Sequence, residues 1–422
     1  MTKDRVSSFF KRNVVTLFFV ALCIFTTLAA NQSPQFILQE LVNRICRNSV
    51  LILALLMPVQ CGMGLNFSIV LGAAAGQIGL ILITNWGIGG FAGMAVCVLI
   101  ATAISFLFGW FAGFLFNRTV GQEMITGIIV GFFSKGVFDL LFLVLVGTWL
   151  IPLRNSAILL PGGIGLQNTI QFNSNVKYVF DNVLKLKLMD CLLIGLIVSF
   201  VVALSFVLFR MLKQKKTFKD SVRESVKAVV TFGIFLVLWG VFYGFLPLYR
   251  AAVRTNVPVF TCFIIAVVCF VNAFIGKTKL GQDIRTCGQS MSVASAAGIN
   301  VGRTRIIATI ISTVIASWGQ IIFLQNMGLV NTYTSHEQVG TYAVAALLVG
   351  GASIRKATVK QVFIGAILFH LLFFTMPLAG NNLFSDSQIG EYFRVFISYG
   401  VIAVALALHA WNGASKRKTK LQ

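Results

Sequence analysis

Charge is scarce in this chain: 11% of its 422 residues are Asp, Glu, Lys or Arg and 57% are apolar, against about 25% and about 45–50% in an ordinary soluble domain. That leaves too little polar surface to coat a soluble globule of this size. Catalytic signatures are missing as well. No GxxxxGK[ST] phosphate loop, GxSxG elbow or pair of catalytic carboxylates occurs, so any pumping energy must come from another chain. Three His (His336, His370, His409) form no HExxH or similar pattern, and the eight Cys show no CxxC spacing. Most of the Cys lie inside apolar runs, where they read as small hydrophobes. No metal site is indicated.

Long apolar runs are what the sequence does have. A helical span needs about 20 mainly apolar residues, because backbone polar groups must be satisfied internally where water is absent. About twelve candidates follow: 14–30, 50–65, 69–83, 92–116, 125–146, 191–209, 229–246, 259–275, 306–324, 340–351, 362–376 and 393–410. The expected fold is all-α, a polytopic transmembrane bundle of about 10–12 spans forming one domain over residues 1–422. A net charge of +22 would suit a polyanion partner only if the basic clusters converged on one surface. They fall instead between the apolar runs. With an N-terminus inside, 24 Lys and Arg lie in cytoplasmic segments and 9 in connections on the other side. Basic residues are retained in the cytoplasm, so both termini are expected there, in a multi-pass protein of a bacterial cytoplasmic (inner) membrane. The first run reads as a retained span; a cleaved signal peptide is the alternative.

Two connections are long. Residues 148–190, with Pro152, Pro161, Gly162, Gly163 and Gly165, read as an ordered external loop. Residues 212–227 interleave Lys213, Lys215, Lys216, Lys219, Arg223 and Lys227 with Asp220 and Glu224, the pattern of a helix lying on anionic headgroups.

Small residues recur four apart at Gly72/Gly76, Gly89/Gly93, Gly109/Gly113, Gly127/Gly131 and Gly240/Gly244, a spacing that lets helix backbones approach closely. Polar side chains within apolar runs normally face other helices or a water-filled path. Asn66, Ser68, Gln77, Asn85, Gln320, Gln325 and Asn326 stand out. Hydrogen bonds between helices explain each singly; a pathway for a neutral hydroxylated solute needs several on one surface. Of these, Asn66, Ser68, Gln77, Gln320, Gln325 and Asn326 are the pathway candidates. Lys135 and Asp139, four apart, read as a self-neutralising pair. The scarcity of other intramembrane carboxylates argues against a proton- or sodium-coupled carrier.

The stretch Gly281-Gln-Asp-Ile-Arg285-Thr-Cys-Gly288-Gln-Ser-Met-Ser-Val-Ala294-Ser-Ala-Ala297-Gly298-Ile299 resembles the cytoplasmic signature of permeases from the ribose/galactose/nucleoside (simple sugar) branch of ABC importers, G-x-x-x-R-A-x-G-x-N running into A-A-x-x-A-G-I. Thr286 stands where Ala is usual, and Gln289-Ser290 where Asn-Pro is usual. Gly64-Leu-Asn66-Phe-Ser68 is similar to the family's GG-I-D-L-S segment, with Asn66 in place of the acid. Leu348-Val-Gly350-Gly351-Ala-Ser353 followed by Gly365-Ala-Ile-Leu is similar to its L-G-G-x-S and G-x-x-x-G-A-x-L-L end. Residues 148–190 and 212–254 go beyond a minimal permease.

This resemblance implies an ABC importer permease fold with a cytoplasmic coupling segment within 276–305. Gly281, Arg285, Gly288, Ala294, Ala297, Gly298 and Ile299 are then the ATPase-contact candidates. It also implies an ABC ATPase partner carrying ATP and Mg, a second permease copy or homologue, and an external solute-binding protein, with no cofactor on this chain and no nucleic acid. The expected solute is a simple sugar such as galactose or ribose. Nucleoside transport is the alternative, set behind because the N-x-G-x-E-G segment associated with nucleoside permeases is absent around Gly64–Gly72. An ion-coupled secondary transporter and a membrane-embedded enzyme are the remaining readings.

Overall fold

The computed structural model describes residues 2–149, 151–153, 155, 157–213, 225–386, 388–396, 399–400 and 402–404. Most of the expected interfacial helix at 212–227 and the basic C-terminal run lie outside the described residues. The chain packs as two units, residues 1–31, 44–182 and 261–422 in one and residues 32–43 and 183–260 in the other.

The first unit is built around a helix triplet. Helix α4 (Ile69–Trp86), α5 (Gly90–Arg118) and α13 (Val301–Met327) pack along their lengths, and the glycine spacing explains how. A Cβ on Gly72 would lie 2.3 Å from the Thr313 carbonyl oxygen and one on Gly76 2.5 Å from that of Ser317. On the other flank, Gly109 and Gly113 press against the Cα atoms of Ile310 and Ile306. Small residues on α4 and α5 thus admit the backbone of α13 between them. Gly131, Gly240 and Gly244 meet nothing within 4 Å among the described residues, so Gly240/Gly244 is no packing seam and of the pair Gly127/Gly131 only Gly127 lies close to another segment, at Phe67–Ser68.

Before this triplet run α1 (Thr2–Ala29), α2 (Pro34–Leu53) and the short α3 (Leu56–Gln60). Residues 50–65 form no span: α2 ends inside the stretch, α3 lasts five residues, and the chain turns back through Gly62 and Gly64, both at positive φ. Helix α6 (Glu123–Leu140) finishes in a π turn, Leu141–Leu145. Residues 148–182 fold onto the core, burying Ile158, Leu159, Leu166, Ile170 and Phe172. Strand β1 (Thr169–Gln171) pairs antiparallel with β4 (Leu329–Asn331), with Ile170 opposite Val330. The described part of this long connection is therefore ordered structure.

The second unit contains α7 (Leu188–Lys213), α8 (Val226–Gly244) and α9 (Leu246–Arg254), the last two meeting at 106°. It is tied by strands β2 (Lys185–Lys187) and β3 (Asn256–Pro258). Gln39 holds the Asn256 backbone in both directions, at 3.1 and 2.9 Å. Much of the sequence that exceeds a minimal permease lies in this unit.

Helix α10 (Val259–Ile275) bends by 73° into α11 (Lys279–Gln289), which leads to α12 (Met291–Ala296) and α13. After β4 come α14 (Val339–Val349) and α15 (Val359–Phe384). Among the described residues six helices are long and apolar enough to cross a membrane, eight if each bent pair is one span, with two shorter apolar helices at Val15–Ala29 and Val339–Val349. Large apolar side chains such as Phe106, Leu107, Trp110, Phe132 and Phe133 stand exposed on α5 and α6. An all-α polytopic membrane protein follows, as expected; half of the expected twelfth span, 393–410, lies outside the described residues.

Candidate functional site

Residues 278–305 form two short capped helices laid against the core. Thr278 caps α11 through its hydroxyl, and Arg285 reaches back to the Gly276 carbonyl at 2.5 Å. Ser290 caps α12. The exit is a Schellman turn: Gly298, at φ +77°, and Ile299 donate to the carbonyls of Ser295 and Ala294, each at 3.0 Å. Asn300 then caps α13 by accepting from the Arg303 N–H at 3.0 Å. One face of the segment is buried, with Ile284, Cys287 and Ala294 packed among Met57, Cys61, Met63, Phe116 and Ala308. A Cβ on Gly288 would sit 2.1 Å from the Gln60 carbonyl oxygen, so only glycine fits there.

This geometry divides the seven ATPase-contact candidates. Arg285, Ala297 and Gly298 are exposed and Ile299 is half-buried, whereas Gly281 and Ala294 are buried and Gly288 is pressed on α3. The latter three hold the segment in place. Val293, Ser295 and Ala296 share the exposed face.

Behind the segment lies an ion pair that sequence reading missed. Arg305, 1% exposed, donates to Glu123 Oε1 at 2.5 Å and to the Phe116 carbonyl at 3.0 Å. Another of its nitrogens lies 3.3 Å from Met291 Sδ. One guanidinium therefore joins α5, α6, α12 and α13. The available sequence signal was a lone carboxylate, Glu123, at the head of one apolar run and the second of two arginines, Arg303 and Arg305, at the head of another.

The six pathway candidates fall into three separate groups. Asn66 accepts from Ser68 through both its N–H and hydroxyl, at 3.0 and 2.6 Å, and donates to Ser312. Gln77 donates to the Thr332 carbonyl at 2.5 Å and faces His336 Nδ1 at 3.1 Å, while Gln320 donates to the Ser335 carbonyl. Gln325 and Asn326 donate to the buried Asp181, at 3.0 and 2.7 Å, alongside Thr261 at 2.6 Å. Except for Asn326 all are buried. They tie helices to connecting segments, and they do not share one open surface. Lys135 is likewise not paired with Asp139: it bridges to Glu337 at 2.7 Å. His336, in the connection before α14, lies against Phe138, and burial pulls its pKa down to about 4.

Open space lies elsewhere in the first unit. A cavity of about 260 Å³ sits where α2, the far end of α13, residues 329–338, α14 and α15 converge. Asn48, Ser335, Gln338, Tyr342 and His370 line it together with apolar groups such as Phe323. None of the six pathway candidates is in this lining. Among the described residues no His/Cys/Asp/Glu cluster could hold a metal ion.

Residues 47–406 match the model of the family described as the branched-chain amino acid transport system permease component. The chain belongs to this permease family. The coupling-like segment, the buried ion pair and the cavity all fall inside the matched region of the permease. Similar curated proteins include the D-allose transport system permease protein AlsC of Escherichia coli, 25% identical over 40% of this chain and 50% of its own length. The galactose/methyl galactoside import permease protein MglC of Escherichia coli is 26% identical over 37% of this chain and 45% of its own. The autoinducer 2 import system permease protein LsrC of Klebsiella pneumoniae is 26% identical over 32% and 40%. The permease thus spans half or less of the length of these relatives. No solved structure matches it.

Proposed function

We propose that this chain is the membrane-spanning permease subunit of an ATP-driven ABC importer that translocates a neutral sugar by alternating access. The observation that carries this reading is the family match across 47–406, joined to a short double helix whose exposed side is small and uncharged around Ala296–Gly298. A surface of that kind suits the groove of a soluble partner. Several relatives are named as sugar transport or import permeases, which supports the solute class.

In this account the partners are an ABC ATPase carrying ATP and Mg, a second permease copy and an external solute-binding protein. Closure of the ATPases would displace residues 281–299. Two routes carry the displacement inward: the cap at Asn300, continuous with α13, and the Arg305–Glu123 pair, which ties α13 to α5 and α6. Packed helices shift as units between discrete arrangements, so α13 would deliver the movement to its other end.

Proteoliposomes holding the permease, its ATPase and its binding protein test this. ATP inside should drive accumulation of a labelled sugar such as D-allose, D-galactose or D-xylose. Accumulation that persists without ATP but follows an imposed proton or sodium gradient would contradict the reading.

A further inference from the structure

We infer that Cys46 and Cys262 form a modification site, a thiol pair that is oxidised to a disulfide on the outer side of the membrane by a thiol–disulfide oxidant. This rests on the importer reading above, which places residues 281–299 in the cytoplasm.

The two sulfurs stand 3.6 Å apart although 216 positions separate the residues. No local sequence brings them together; each helix is fastened separately to α13. On α2, the Leu51 backbone nitrogen comes so close to α13 that a Cβ on Gly319 would lie 2.9 Å from it. On α10, Thr261, the neighbour of Cys262, donates to Asp181 at 2.6 Å, and Asp181 accepts from Gln325 and Asn326 of α13 at 3.0 and 2.7 Å. The fold thus holds the thiols face to face, and bond formation shortens their contact to about 2.05 Å. Composition sets Cys46 apart as well. It sits between Arg44 and Arg47 rather than inside an apolar run, so the role of a small hydrophobe suits it less than the other cysteines.

Position decides which compartment the pair meets. Helix α10 ends at Ile275 and bends into α11, where the segment read as cytoplasmic begins. Cys262 lies near the opposite end, about 20 Å away along the helix at 1.5 Å per residue. Disulfides form and persist on the outer side of a bacterial membrane, whereas cytosolic thiols are kept reduced. Access differs between the partners: Cys46 is 3% exposed and Cys262 is half-buried, so Cys262 is the sulfur that meets the oxidant. Its thiolate attacks the oxidant's disulfide and one oxidant sulfur leaves. Cys46 then attacks Cys262 Sγ in the mixed disulfide and releases the other. Two electrons pass to the oxidant, and its disulfide becomes two thiols that take up the two cysteine protons.

The test uses cells expressing the full chain, quenched in acid so that no thiol is oxidised during lysis, then alkylated with N-ethylmaleimide under denaturing conditions and weighed by mass spectrometry. The parent should gain two further labels when it is reduced before alkylation. Cys46→Ser and Cys262→Ser should each gain none, while Cys287→Ser, in the cluster beside the coupling-like segment, should keep the gain of two. Peptide mapping of the unreduced parent should recover Cys46 and Cys262 in one cross-linked pair, which decides the question even if a variant does not accumulate. Ser292→Cys, at an exposed position, reports sidedness: a membrane-impermeant maleimide should reach it only after the cells are opened.

If the impermeant reagent spares Ser292→Cys in intact cells and the parent gains no label on reduction, the disulfide assignment is wrong while the importer reading stands. A gain of two that persists in Cys46→Ser overturns it equally. If Ser292→Cys is labelled in intact cells, residues 281–299 face outward, and the importer reading fails together with the side assigned to the disulfide.

Discussion

The two ends of α13 differ in kind. At its beginning, Arg305 is sealed against Glu123 and the Phe116 carbonyl, and the neighbouring turn is packed too closely for a Cβ at Gly288. At its end, about 27–33 Å further along at 1.5 Å per residue, Phe323 and Met327 border a cavity of about 260 Å³. One end is filled and cross-tied; the other has room. A rigid rod between them can carry a displacement from the tied end to the open one.

The tied end should be the more sensitive to substitution. Glu123→Ala leaves the Arg305 guanidinium buried without its counter-charge, and losing one partner of such a pair costs about 3–5 kcal/mol. Thermal unfolding in detergent should show a large drop. The double variant Glu123→Met, Arg305→Met should recover much of it, because an apolar pair needs no compensation. A double variant as unstable as Glu123→Ala would mean that the charge pair is not what joins these helices.

The middle of α13 comes next. Gly72→Leu places atoms where the Thr313 carbonyl already stands, and overpacking typically costs about 1–3 kcal/mol. Gly131→Leu, on an open surface, should unfold at the parental temperature. Equal effects would remove the distinction between a packing seam and a glycine with open space beside it.

Much of this arrangement was readable in the sequence, for a physical reason. Spans are written in composition, so runs such as 259–275 and 92–116 appear as helices with nearly the expected bounds. Glycine spacing announces close approach, and Gly72/Gly76 and Gly109/Gly113 deliver it. Helix α2 was not readable as a helix, because Gln35, Gln39, Glu40, Asn43 and Arg44 interrupt its apolar face. The surroundings of the pathway candidates were not readable, because a buried amide looks the same in sequence whether it faces water or a carbonyl. Only the fold brings Gln77 to Thr332 or Gln325 to Asp181. Residues 182 apart, Arg305 and Glu123 carry no local mark of their pairing.

Those amides give a third, smaller effect. Gln77→Leu removes a bond to the Thr332 carbonyl and the partner of His336 Nδ1, at about 1–3 kcal/mol for an abandoned buried group. Stability should fall, with uptake per folded molecule retained. Uptake lost at unchanged stability would return Gln77 to the pathway.

A last effect is that of pH on His336. His336 has its pKa lowered from an ordinary 6.5 to about 4 by burial, so between those values the unfolded chain takes up a proton that the folded one does not. Stability contributed at this site is therefore present above pH 6.5 and declines as pH falls toward 4. His336→Gln should flatten that part of a stability–pH curve measured in detergent. An unchanged curve would show that this histidine does not titrate in that window.

The central claim, that energy enters at residues 281–299 from another chain, is tested most directly at Ala297. The position is exposed and lies just after α12, so Ala297→Glu should leave the permease folded. It should bring an unpaired charge into the partner's groove, weakening docking by on the order of a few kcal/mol. In a purified complex with its ATPase and binding protein, sugar-stimulated ATP hydrolysis should then be lost, or the ATPase should no longer copurify. Full stimulated hydrolysis and transport in that variant would contradict the account.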